Sequence, residues 1–250
     1  MKLVFVSSGS KGNATLIQSG DTLIQIDMGI TKRSLIGGLS VLGKTVQDID
    51  ALFLTHEHSD HISGISTIAR YTKVYASEET YEAPPEQIVW PGVGISIGEL
   101  LIMPFSSSHD AVNPINFIIY AGNEKLGYVT DTGIVTEEGL ALLKNCDYYL
   151  FESNHDVKML RESPRPMWLK RRIRGDHGHL SNKQCADYLC SLIGEKTKQI
   201  FLAHISDDCN KTEIAEATLR EKMRKSGLDD TKYKIVAIPQ LTLQIGGELL

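Results

Sequence analysis

The sequence predicts an α/β fold in a single domain spanning residues 1–250, and three observations lead there. The chain has 250 residues, 42% of them hydrophobic, which suits one large core near the upper size of an undivided domain. Short β-branched apolar runs alternate with stretches that carry apolar residues at helical spacing, so strand, loop, helix and strand follow one another as in a βαβ unit. Polar loops rich in His and Asp repeatedly follow the apolar runs, which sets chemistry-bearing side chains at strand tips.

Composition narrows the class. A net charge of −5 argues against coating nucleic acid by bulk electrostatics and leaves room for a locally basic cleft, above all one that holds two divalent cations. Cys146, Cys185, Cys190 and Cys209 form no C-x-x-C pair and no disulfide framework, so buried, reduced thiols are expected. The apolar N-terminal run ends at Ser7, too short for a signal sequence, and no run approaches the roughly 20 residues of a bilayer span. A soluble cytoplasmic protein with no membrane partner is expected.

In chain order, residues 2–6 and 14–17 read as a hairpin around the turn-rich residues 7–13. Gly9 and Gly12 do not match a dinucleotide or P-loop pattern, so the loop is turn chemistry or, alternatively, a backbone N–H nest. A strand over 23–26 ends in Asp27, which either hydrogen-bonds the next ligand loop or caps a helix expected over 31–42. Helical spacing through Ile62, Ile65, Ile68 and Ala69 predicts a helix over 62–71. A strand follows at 73–76, and then Ser77 as the N-cap of a helix with Glu78 and Glu79 in its first turn.

Further strands are expected at 100–105, 115–120, 125–130, 147–151 and 199–203. They are tipped in turn by the loops bearing His109, none, Asp131, Glu152-Ser153-Asn154-His155 and His204. Ser153 or Asn154 is alternatively a helix cap. Helices are expected over 136–144, over 182–193 behind Ser181 or Asn182, and over 210–225, with closing strands at 232–238 and 241–245.

The stretch Leu52-Phe53-Leu54-Thr55-His56-Glu57-His58-Ser59-Asp60-His61 carries the densest chemistry. In an extended segment His56 and His58 project to one side and can grip one ion. Asp60 and His61, at the start of a helix, point about 100° apart and suit a second ion. Imidazole and carboxylate donors with an open position fit Zn, Mn or Fe, and two ions need more ligands, for which His109, Asp131 and His204 are candidates. The run from 158 to 179 holds Arg161, Arg165, Lys170, Arg171, Arg172 and Arg174. It is either a solvated face or a grip for phosphate oxygens.

The full H-x-H-x-D-H motif of residues 56–61, with His109, Asp131 and His204 behind it, resembles the metallo-β-lactamase superfamily. That resemblance implies a four-layer αβ/βα sandwich and two divalent metal ions. It places His56, His58 and His109 on one ion, Asp60, His61 and His204 on the other, and Asp131 between them. Asp131 stands where β-lactamases usually have cysteine, which fits phosphodiesterases better. Ser8-Gly9-Ser10-Lys11-Gly12-Asn13-Ala14, Phe151-Glu152-Ser153-Asn154-His155-Asp156, Lys170-x-Arg172-Ile173-x-Gly175 and Gly178-His179-Leu180-Ser181-Asn182 together look like the YycJ/WalJ (VicX) group. Membership implies a 5′-to-3′ DNA exonuclease encoded beside a cell-wall two-component system.

On this reading Asp60, His179 and Glu152 are catalytic, and His155, Arg172, Arg174, Ser181 and Asn182 line the substrate site. DNA is favoured over RNA, and the oligomeric state stays open. A thioester or lactone hydrolase, an RNase Z-like ribonuclease and a regulatory metal-binding protein are the alternatives.

Overall fold

The computed structural model describes residues 1–249. They form two compact units: Met1–Ser106 with Ala111–Glu124 and the stretch from Gln240 onward, and Ser107–Asp110 with Lys125–Pro239. The strands are β1 (Lys2–Ser7), β2 (Ala14–Ser19), β3 (Thr22–Ile26), β4 (Ala51–Phe53), β5 (Lys73–Tyr75), β6 (Ile95–Ile97), β7 (Leu100–Ser106), β8 (Ile115–Ala121), β9 (Glu124–Val129), β10 (Tyr148–Glu152), β11 (Gln199–Ala203), β12 (Lys234–Ala237) and β13 (Gln244–Gly247). The helices are α1 (Lys32–Val41), α2 (Ser59–Ile62), α3 (Glu137–Leu142), α4 (Val157–Glu162), α5 (Met167–Arg174), α6 (Asn182–Leu192) and α7 (Thr212–Lys225).

In the first unit six strands pair in the order β13-β1-β2-β3-β4-β5, antiparallel as far as β3 and parallel beyond it. β6, β7 and β8 pair antiparallel. β4 has a parallel neighbour on each edge, so it reads as an unbroken apolar run with all three residues buried. Phe53 stacks on Tyr75 with ring centres 4.9 Å apart and meets Phe117 edge-on at 5.8 Å. The Thr31 hydroxyl accepts the Ser34 N–H and starts α1, which leaves Asp27 free for the ligand loop.

In the second unit β12-β11-β10-β9 are all parallel. Parallel pairing requires crossovers, which the intervening helices supply, so every carboxyl end points the same way. The register pairs Val129 with Phe151 and Glu152 with Ala203. Asp131, Glu152 and His204 therefore arrive at one edge. Ser181 caps α6 in a reciprocal box with Gln184.

Four local expectations are corrected. Residues 62–71 are not one helix: α2 stops at Ile62, and a single 3₁₀ turn, Ile65–Thr67, follows. The Gly64 N–H is committed to the Met28 carbonyl at 2.7 Å, and a Cβ there would meet the Ile30 carbonyl at 2.3 Å, so the chain must leave the helix to pack on that loop. Ser77 caps no helix; its hydroxyl donates to the Asn113 carbonyl at 2.6 Å, and Glu79 turns left-handed at φ 65°. Neither Ser153 nor Asn154 caps α4, because Asp156 accepts the Met159 N–H at 2.8 Å. The last strand lies at Gln244–Gly247 rather than 241–245. Among the described residues no helix is long and apolar enough to cross a membrane.

Candidate metal centre

The first unit gathers four of the expected ligands at the tip of β4. Asp27 lies one residue beyond β3, which is parallel to β4, and the register carries it level with Leu54, within side-chain reach of Thr55. Its left-handed backbone, φ 59°, turns the carboxylate toward the loop. There it accepts the Thr55 N–H at 2.9 Å and the Thr55 hydroxyl at 3.0 Å, and it pairs with His61 Nδ1 at 2.8 Å. The Thr55 oxygen sits 3.0 Å from His56 Nδ1. Both imidazoles thus carry their proton on Nδ1, which makes Nε2 the ring atom that a metal would use.

The rings of His56 and His58 are 4.6 Å apart, and those of His56 and His61 are 4.1 Å apart. Asp60 and His61 sit on α2, with His61 Nε2 3.5 Å from Asp60 Oδ2. Two donors about 2.1 Å from one tetrahedral ion are about 3.4 Å apart, so this pair fits a shared cation. The loop has no slack: Gly29 lies so close that a Cβ there would fall 1.6 Å from the Asp60 carbonyl oxygen.

The second unit builds a matching cluster around Glu152, which is completely buried. Its Oε1 takes His179 Nδ1 at 2.8 Å and His204 Nδ1 at 2.9 Å, and its Oε2 takes the Thr132 and Leu180 N–H groups at 3.0 and 3.1 Å. Both Nε2 atoms are therefore presented outward as acceptors. His204 Nε2 lies 3.4 Å from Asp131 Oδ1, again the spacing of two ligands on one ion. His109 donates from Nδ1 to the Gly178 carbonyl at 3.1 Å and brings Nε2 within 3.9 Å of the same Asp131 oxygen. Asp131 and His204 both have left-handed backbones, φ 47° and 54°, strain of the kind held at functional strand tips. One donor atom each from Asp131, Glu152, His179 and His204 lie within 4.8 Å of one another. Because Glu152 is spent on orienting two imidazoles, Asp131 and His204 are the groups of this cluster left to hold a metal.

Electrostatics agree with those roles. Burial pushes the Glu152 carboxyl up, but the charge and hydrogen bond of His179, then those of His204, outweigh it and hold the group ionised. Burial lowers the His109 pKa, which favours the neutral ring that a metal would need. Burial raises the Cys146 thiol to about 12 and raises Cys185 as well, so these free cysteines are inert packing groups.

His155 is buried, its Nδ1 has no hydrogen-bond partner, and burial pushes its pKa down to about 4. An unfolded chain therefore binds a proton at this position below about pH 6.5 that the folded chain refuses until about pH 4. The resulting stability is complete above pH 6.5 and is lost as pH falls toward 4, by about 3 kcal/mol. Urea unfolding of His155→Asn followed between pH 7 and 4 is expected to show a shallower loss than the wild type; equal slopes would remove this role.

Of the expected substrate contacts, Arg172 and Arg174 are exposed on α5, and Arg172 pairs with Asp110. Ser181 and Asn182 are each 3% exposed and face inward. Ser181 holds the α6 cap, while the Asn182 amide exchanges two hydrogen bonds of 2.8 Å with Asn210 and accepts the Ser153 hydroxyl at 2.7 Å. Four supporting residues were given no place at the site from the sequence, although Asn13, Thr55 and Asn154 stand in the quoted motifs. Asn13 places Nδ2 2.9 Å from His61 Nε2, and Asn154 donates to the His204 carbonyl at 3.0 Å. Thr55 orients two imidazoles, and Asn210 donates to the Ser153 carbonyl at 2.8 Å. Thr55 and Asn154 lie within the quoted runs, which was the available signal.

This fold and these clusters define a metal-dependent hydrolase class. A family profile described as the Beta-lactamase superfamily domain matches residues 26–205, and the chain belongs to that superfamily. It is 33% identical over 234 residues to the exodeoxyribonuclease YycJ of Bacillus anthracis, covering 89% of each chain. It is 32% identical over 241 residues to the exodeoxyribonuclease WalJ of Streptococcus pneumoniae, covering 91% of this chain and 90% of that one. Among solved structures, the metallo-β-lactamase fold protein YhfI of Bacillus subtilis aligns over 98% of both chains with a TM-score of 0.71 at 16% identity. The fold is thus the α/β metallo-β-lactamase sandwich that the histidine motif implied.

Proposed function

We propose that the chain is a cytoplasmic DNA exonuclease that removes nucleotides in the 5′-to-3′ direction, and that it works as one catalytic domain. The observation that carries this reading is the likeness to two exodeoxyribonucleases along about nine-tenths of the chain, with the ligand motif intact. His56, His58 and His109 would hold one divalent ion, Asp60, His61 and His204 a second, and Asp131 both, with Zn, Mn or Fe suited to the donor set. When bound, the ions lower the pKa of coordinated water and neutralise charge on the phosphoryl group.

The protein's own groups do the rest. Asp60 accepts a hydrogen bond from the attacking water and fixes its approach. His179 turns Nε2 toward the leaving oxygen, and Glu152 on Nδ1 sets its tautomer and orientation. Arg172 and Arg174 receive phosphates beside the scissile one.

Single-stranded DNA labelled at either end, double-stranded DNA, RNA and a thioester, each offered with and without chelator, test this directly. Early release of a 5′-labelled mononucleotide, stopped by chelation, is the expected result. Cleavage of RNA or the thioester alone would replace it with one of the other hydrolase readings.

A further inference from the structure

The outer face of α5 sets an aromatic ring among cations. The helix turns Ile173 and Leu169 onto Leu160 and Cys209. Its 3.6-residue period then faces Met167, Trp168, Arg171 and Arg174 away from that contact. Met167 is 63% exposed and Trp168 67% exposed, so nothing within the unit covers the indole. The eight residues of α5 include Lys170, Arg171, Arg172 and Arg174 and no acidic residue. Lys170 donates to the Arg161 carbonyl and Arg172 pairs with Asp110, whereas Arg171 and Arg174 make no ion pair among the described residues.

An uncovered ring beside two guanidinium groups that make no ion pair is the chemistry that binds single-stranded nucleic acid. Every base offers a face to stack on, and every linkage offers a phosphate to neutralise. Position matters too. Trp168 and Arg172 lie four residues apart on one line of the helix, and Arg172 is tied to Asp110, the neighbour of His109. The indole therefore sits about one helical turn, roughly 5.4 Å, beyond the arginine nearest the ligand loop.

We infer that the outer face of α5 is the track for the single-stranded arm of the substrate, with Trp168 stacked on a base and Arg171 and Arg174 on the flanking phosphates. This rests on the nuclease reading above and adds Trp168 and Arg171 to the Arg174 that reading already contains. The exposure of Trp168 means its replacement leaves the core untouched.

Trp90→Phe leaves Trp168 as the only indole. Adding a phosphorothioate thymidine oligonucleotide of about ten nucleotides to that holoenzyme is expected to quench its emission saturably, less so at high salt. In the wild-type background Trp168→Ala is expected to raise KM for single-stranded DNA about 5- to 100-fold, with kcat and hydrolysis of bis(p-nitrophenyl) phosphate unchanged. Trp168→Phe should recover most of the loss. Unaltered emission together with an unaltered KM, in an enzyme that still degrades DNA, overturns the track. An enzyme that degrades no DNA refutes the nuclease reading instead, and quenching by the oligonucleotide then still decides whether α5 binds a strand.

Discussion

Replacing His179 with Asn is expected to lower DNA hydrolysis about 10²- to 10⁴-fold while metal content stays at the wild-type level. The effect is confined to turnover because the imidazole is 21% exposed, anchored only through Nδ1, and not needed to hold His204, which has its own bond to Glu152. Asparagine can still donate a hydrogen bond toward Glu152, so the buried carboxylate is not abandoned. Steady-state kcat on DNA together with elemental analysis of the purified variant reads both halves of the prediction. Unchanged kcat would remove His179 from the proton-transfer step, and loss of metal would make it a ligand.

Glu152→Gln should do the opposite and damage the scaffold first. The carboxylate accepts four hydrogen bonds in a site with no water-exposed surface. Glutamine offers one accepting oxygen and turns an NH₂ group onto donors that were satisfied. Stranding buried donors of this kind costs about 3 kcal/mol. Freed from its orienting partner, His204 should also bind metal about 10- to 100-fold more weakly. Urea unfolding and a competitive chelator titration measure the two losses. If both stay within error of the wild type, Glu152 does not organise the cluster.

The contrast between these variants shows what the sequence could carry. The positions of Asp131 and His204 were legible because each closely follows an apolar run, and the parallel pairing of β9, β10 and β11 sets such tips at one edge whatever lies between them. Asp27 was legible only as a choice between two partners, since both the ligand loop and α1 lay within its reach. Its left-handed turn, together with a Thr31 cap that made it unnecessary at the helix, decided the matter. Asn210 was invisible because its bonds run to Asn182 and Ser153, 28 and 57 residues away. The false helix over 62–71 shows the same limit from the other side. Ile62, Ile65 and Ile68 do face the core, but helical spacing cannot report that Gly64 must bond to Met28.

The most direct test of the account counts metal against turnover. The holoenzyme is stripped with a chelator, shown by circular dichroism to remain folded, and returned to activity on 5′-labelled single-stranded DNA with measured additions of Mn²⁺. The account predicts that nucleotide release vanishes on stripping and is fully restored at two equivalents per chain, with His179→Asn binding the same two ions and staying slow. Full release of nucleotide by the metal-free protein would contradict it.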